Sequence, residues 1–195
     1  MINRYISIAA ATLLISGCAT TLYAPLKVDP TTGSYPAVVH LTRADTQAFV
    51  TRENPRTFRA VVLTVETNAR PANLTFMIRQ ALAQEGITRV YTMSEFERMT
   101  GSQSSPGVTT AQQDMAAIQN YSRLNAPVLI VNFDFEMSSG HAQTALKISD
   151  GLSGQILLEI DRGRLIMSNW DEEALHPVLN ELREWVNACA SEGGV

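Results

Sequence analysis

Ala126-Pro127-Val128-Leu129-Ile130-Val131-Asn132-Phe133-Asp134-Phe135-Glu136-Met137 changes character halfway along. Positions 128–131 are continuously apolar, and positions 132–137 alternate polar with apolar. Continuous apolarity marks a strand buried on both faces, and alternation marks one face in water. This run therefore reads as a central strand that emerges from between two layers. Before it, residues 58–67 are β-branched and apolar (Val61, Val62, Leu63, Thr64, Val65), a second buried strand. Leu74, Met77, Ile78, Ala81 and Leu82 then recur at helical spacing, with Asn73 placed to cap and Gly86 to stop the helix. Residues 89–93 form a short strand. A helix from Thr110 opens with a capping box to Gln113, and Met115, Ile118, Tyr121 and Leu124 give it an apolar stripe.

Downstream of the central run, Leu146 and Ile148 alternate with polar residues, as do Ile156, Leu158 and Ile160. The turn between them, 149–154, has two glycines available for positive φ. Arg162-Gly163-Arg164 reads as another turn before a strand at 165–167. The final helix carries Leu175, Val178, Leu179, Leu182, Trp185, Val186 and Cys189 on one face, with Pro177 tolerable only in its first turn. The fold class is α/β (α+β). A mixed sheet of about five strands carries two to three helices largely on one face, in the order β-α-β-α-β-β-β-α. Residues 57–190 form this domain, and 191–195 a frayed tail.

The amino terminus carries an address. Arg4 precedes an apolar run over 5–15, and Ile15-Ser16-Gly17-Cys18 follows. A charged start, an apolar stretch of roughly 7–15 residues and a small-residue cleavage site make an export signal. The run is too short to span a bilayer, which takes about 20 apolar residues. The order resembles the bacterial lipoprotein signal peptide, with 15–18 as the lipobox. That resemblance implies cleavage between Gly17 and Cys18, removal of residues 1–17 and a covalent lipid on Cys18. Ala19 stands where an Asp favours inner-membrane retention in that family, so the implied address is the periplasmic face of the outer membrane. Residues 18–56 are rich in turn chemistry (Asp29-Pro30, Gly33, Tyr35-Pro36, Asn54-Pro55) and read as a lipidated tether, with an edge strand near 37–42.

Composition narrows the function. Hydrophobic residues make up 45 % and net charge is −4, with no basic cluster, which argues against nucleic acid as a partner. No cofactor or metal motif is present. His40, His141 and His176 fall at no chelating spacing. Gly151-Leu152-Ser153-Gly154 is one residue short of a nucleophile elbow, and a strand follows it where a helix is required, so a hydrolase centred on Ser153 is the weakest reading. Asp134 and Glu136 share a strand face, as do Asp150 and Asp161 if the hairpin pairs simply; such carboxylates are a solvated face before they are an acid/base pair. Asp171-Glu172-Glu173 complements a helix N-terminus. Trp170 beside it is the candidate interface residue. Cys189 falls on the apolar stripe and reads as a buried thiol.

Four segments resemble a group of envelope domains that includes the amino-terminal domain of the Tol-system translocation protein and the periplasmic core of the curli-secretion lipoprotein. They are Ala60-Val61-Val62-Leu63-Thr64-Val65 with its following helix, Gly86-Ile87-Thr88-Arg89-Val90-Tyr91, residues 125–131, and the hairpin 147–157. The resemblance implies a non-catalytic scaffold or assembly component that engages envelope proteins or copies of itself. An auxiliary subunit of a transport or secretion machine is the alternative. Long amphipathic hairpins for a membrane barrel are missing, so the resemblance does not extend to pore formation.

Overall fold

The computed structural model describes residues 27–37, 41, 45–51, 54–67, 71–101, 111–138, 141–166 and 175–192. Its elements are β1 (Thr46–Phe49), a 3-10 turn (Pro55–Thr57), β2 (Ala60–Thr67), α1 (Pro71–Gln84), β3 (Val90–Thr92), α2 (Met93–Thr100), α3 (Ala111–Leu124), β4 (Val128–Ser138), β5 (His141–Asp150), β6 (Ile156–Ile166) and α4 (His176–Glu192). The α/β class holds. Among the described residues the sheet has six strands in the order β1-β6-β5-β4-β2-β3.

Strand β4 sits inside that sheet as its sequence requires. Residues 60–67 of β2 run parallel to it in unbroken register, from Ala60 opposite Val128 to Thr67 opposite Phe135. On its other side β5 and then β6 follow as an antiparallel meander. Residues 128–131 are buried, and beyond them Phe133 and Phe135 are buried while Asn132, Asp134 and Glu136 are exposed. The two faces are covered unequally. Leu129, Val131, Phe133 and Phe135 join Leu63, Leu146, Ile148 and Ile160 in one core beneath α1 and α4. Ala60, Val62, Val128 and Ile130 pack on the opposite face against Phe96 of α2 and Ile118 of α3. The helices thus divide between the faces rather than gathering on one.

Several local expectations change. Helix α1 starts at Pro71, so Asn73 lies inside its first turn instead of capping it; proline fits that first turn because its missing N–H is unpaired there anyway. Leu124 is 80 % exposed at the end of α3, off the stripe that buries Ile118. Gly163 does not turn the chain. Ala142 opposes Leu165 and Thr144 opposes Arg162, so β6 carries one more residue than β5 across that interval. A glycine at such a bulge lets one strand bend and continue. Helix α2 was unforeseen, since the strand before it runs into it without a break. Its start is a capping box: Thr92 Oγ1 accepts from the Glu95 amide at 3.4 Å, and the Thr92 amide donates to Glu95 Oε2 at 2.7 Å. Glu95 also pairs with Arg79 of α1. Within the span read as tether lie β1, antiparallel to β6, and a strap at 28–36. Helix α4 continues to Glu192, past the start of the span read as tail.

Two outcomes follow from this packing. Hydrogen bonds from Thr92 and Arg79 hold the Glu95 carboxyl below its ordinary value of 4.5. A depressed carboxyl contributes stability above its unfolded pKa and loses it as pH falls through the folded one. Urea melts of Glu95→Gln against wild type will therefore show a deficit at neutral pH that closes in acid below about 4. Gly151 is needed for space: a Cβ there would lie 2.7 Å from the Val128 carbonyl oxygen and 2.9 Å from Ile118 Cγ2. Gly151→Ala will lower the urea midpoint by an amount worth about 1–3 kcal/mol, with the slope unchanged.

Candidate functional site

Residues 28–36 strap the chain across the helical layer. Asp29 opens a tight turn: its Oδ1 accepts from the Thr31 amide at 2.7 Å, its carbonyl accepts from the Gly33 amide at 2.7 Å, and its amide donates to the Ser34 carbonyl at 2.8 Å. Gly33 takes the left-handed conformation this turn requires, φ 67°. The Thr31 amide foremost holds the Asp29 carboxyl below its ordinary value. The turn delivers Tyr35 into the core, where it is 2 % exposed. The Tyr35 amide donates to Asn180 Oδ1 at 2.7 Å, and Asn180 Nδ2 donates back to the Tyr35 carbonyl at 3.0 Å. The hydroxyl donates to Gln84 Oε1 at 2.6 Å. The ring stacks on His176, centroids 5.7 Å apart and planes 19° apart. The His176 Nδ1–H faces the Pro36 carbonyl, which can only accept. Burial, then the Glu85 charge, pushes the Tyr35 hydroxyl up to about 12.

Glu85 is the charged centre behind this strap. It is 5 % exposed at the end of α1, with Arg183 Nε at 3.3 Å and an Arg56 guanidinium nitrogen at 3.9 Å. Arg56 Nε donates to the Glu85 carbonyl at 2.6 Å, and its terminal nitrogen donates to Asn187 Oδ1 at 3.0 Å. One carboxylate thus ties the 3-10 turn, α1 and α4 together. Buried ion pairs add little net stability, but removing one partner leaves a charge uncompensated. Gly86, at φ 85°, lets the chain turn under the Arg56 side chain, whose atoms would lie 3.3 Å from any Cβ there. On the outer side of α4, burial and then Glu184 and Asp45 raise the Glu181 carboxyl.

The sheet's other face differs. Beyond α2 and α3 it forms a broad trough of about 880 Å³, floored by Thr64, Asn132, Asp134, Lys147 and Asp161. Lys147 pairs with Glu159 at 3.2 Å. At its wall, burial and then Glu97 raise the Asp114 carboxyl. These side chains are carried on regular strands, so the surface is rigid and wide rather than a closed pocket.

The residues singled out from sequence scatter across this frame. Asp134 and Glu136 lie on the exposed face of β4. Asp150 and Asp161 do not share a face: Asp161 opposes Ala145, itself opposite Asp134 on the trough side, whereas Asp150 opposes Leu129 on the side of the main core. Asp150 instead shapes the hairpin turn, its Oδ1 accepting from the Leu152 amide at 3.1 Å and from the Ser153 amide and hydroxyl at 2.6 Å each. The Ser153 hydroxyl is thus a donor within a turn. His141 opens β5 opposite Ser138, and His176 is the first residue of α4. Cys189 is buried on the α4 stripe. Among the described residues no group of three His, Cys, Asp or Glu side chains could hold a metal ion, and no helix is long and apolar enough to cross a membrane. Gly17, Cys18, His40, Trp170 and residues 171–173 lie outside the described residues. Sequence reasoning missed Tyr35, Arg56, Glu85 and Asn180. Tyr35 and Asn180 are 145 positions apart, and no local spacing reports such a pair.

No protein-family model and no curated protein matches the chain. Solved structures do. The PelC dodecamer from Paraburkholderia phytofirmans is 10 % identical, with 72 % of this chain and 94 % of that one covered at a TM-score of 0.41. Lipoprotein GNA1162 from Neisseria meningitidis is 15 % identical over 66 % of this chain and 96 % of that one, TM-score 0.36. The LpoB C-terminal domain from Salmonella enterica is 17 % identical over 56 % and 84 %, TM-score 0.36.

Proposed function

We propose that the chain is an exported lipoprotein whose α/β domain recruits envelope proteins without catalysis of its own. Cys18 carries the lipid, and the domain works at the periplasmic face of the outer membrane. The observation that carries this reading is the order at the amino terminus: Arg4, the apolar run and Ile15-Ser16-Gly17-Cys18. Two or more acyl chains give a stable anchor, since each buried CH₂ contributes about 0.8 kcal/mol. The fold supports the second half of the proposal. The strap and two helices seal one sheet face, while the trough on the other, lined by polar and apolar side chains together, is broad and open. The grouping with the Tol and curli envelope domains belongs to this proposal.

Palmitate labelling in a diderm host tests the anchor. Wild type is expected to incorporate label and to leave the membrane pellet only with detergent; Cys18→Ser is expected to do neither. Label on the Cys18→Ser protein, or none on wild type, overturns the anchor. A photocrosslinker at Asn132, in the trough, is expected to capture envelope proteins; one that yields only uncrosslinked monomer in intact cells removes the recruiting role.

A further inference from the structure

The trough carries a charge order that deepens the recruiting role proposed above and rests on it. We infer that the trough receives a cationic segment of a partner protein, with Lys or Arg side chains over a row of carboxylates and apolar side chains against the methionines of the wall. Strand register fixes the row. Glu66 of β2 opposes Asp134 of β4, Asp134 opposes Ala145 of β5, and Ala145 opposes Asp161 of β6. Neighbouring strands lie about 4.8 Å apart, so the row crosses the sheet over about 14 Å. Three of its four members are acidic. The fourth is a small alanine, whose methyl group leaves room for an incoming side chain between Asp134 and Asp161.

The chain's own cations do not balance this row. Lys147 is the one cation among the described side chains lining the trough, and it pairs with Glu159 in the neighbouring row. Glu66, Asp134 and Asp161 have no ion-pair partner among the described side chains. Like charges directly opposite on a sheet repel, so the contact of Glu66 with Asp134 does nothing for the fold. At the wall, Asp114 Oδ1 is buried with no hydrogen-bond partner among the described residues. Met93 and Met115 stand beside it, partly buried against Phe96 and Ile118. Flexible thioethers adapt to varied apolar partners. An unbalanced acidic row next to an adaptable apolar wall matches a segment that mixes basic and apolar residues. Arginine suits the row best, because its planar fork fits carboxylates. A second copy of this chain is a poor occupant, since net charge is −4 and no basic cluster is present. An anionic lipid surface is repelled by the same carboxylates. A small polyamine would leave the apolar wall uncovered.

The test uses the full-length chain in intact diderm cells, with a photocrosslinker at Asn132 and each adduct mapped by mass spectrometry. Wild type is expected to join a partner segment with an excess of Lys and Arg. The neutral triple variant Glu66→Gln, Asp134→Asn, Asp161→Asn is expected to give about tenfold less of that adduct, the factor that three exposed ion pairs supply together. Glu184→Gln removes an exposed carboxylate from α4 on the sealed side and is expected to keep the adduct. The urea midpoint of the triple variant is expected not to fall, which separates lost capture from lost folding. A midpoint that falls assigns the row to the fold and overturns the inference. The same adduct at full yield in the triple variant, or an adduct on a segment without basic excess, overturns the inference and leaves recruitment standing. Adducts confined to a second copy or to lipid give the trough another occupant and overturn it as well. No adduct from wild type overturns recruitment and the inference together.

Discussion

The parallel pairing of β2 with β4 is the constraint on which the other elements depend. Ala60 to Leu63 and Val128 to Val131 face each other over four consecutive pairs, and every one of those side chains is buried. Two adjacent strands that are apolar on both faces must be covered on both faces. Parallel strands also cannot be joined by a tight turn, so the chain has to cross over between them. The crossover supplies α1 to one face, β3 to the edge, and α2 and α3 to the other face. What remains after β4 is an antiparallel meander whose outer ends alternate. Its buried side needs one more helix, and α4 provides it. The unequal faces of the domain are therefore a result of where β2 and β4 stop being doubly apolar.

That explains which parts of the fold were legible in the sequence. The switch at Asn132 from continuous to alternating apolarity marks where α2 and α3 cease to cover the sheet. The α4 stripe was equally plain, because Val178, Leu182, Trp185, Val186 and Cys189 all bury on one helix face. Less legible were features where two local signals compete. Thr92 both ends β3 and caps α2, so the strand signal masked the capping box to Glu95. Gly163 between two arginines has turn chemistry, yet the ladder to β5 continues through it, because a bulge absorbs the glycine without ending the strand. Leu124 matches the helical period of α3 but lies beyond the edge of the layer it should pack on.

The site was least legible because its contacts are long-range and polar. Asn180, Arg183 and Asn187 would each pass for the wet face of an amphipathic helix, and periodicity assigns them to water. They are instead the face of α4 that receives the strap, Glu85 and Arg56. A polar stripe on a helix is ambiguous in this way whenever another segment of the same chain can satisfy its hydrogen bonds. Turn-rich segments such as 28–36 carry the complementary ambiguity. Asp29 and Gly33 spell a turn whether the segment drifts or docks, and only the buried Tyr35 separates the two.

Charge then distinguishes the two sides of the domain. On the helical side the carboxylate of Glu85 is matched by Arg56 and Arg183 within a few ångströms, so its charge is spent internally. On the trough side Lys147 answers Glu159, while Asp134, Asp161 and Glu66 stand on the same floor. Exposed carboxylates on a sheet cost little in water, whereas an apolar surface of the same width would aggregate. The trough is therefore compatible with an isolated, stable domain and still offers a rigid surface on which charged and apolar side chains mix. The larger core lies on the sealed side, where the strap docks; on the other face α2 and α3 cover a smaller core, and only the sheet surface beyond them stays open.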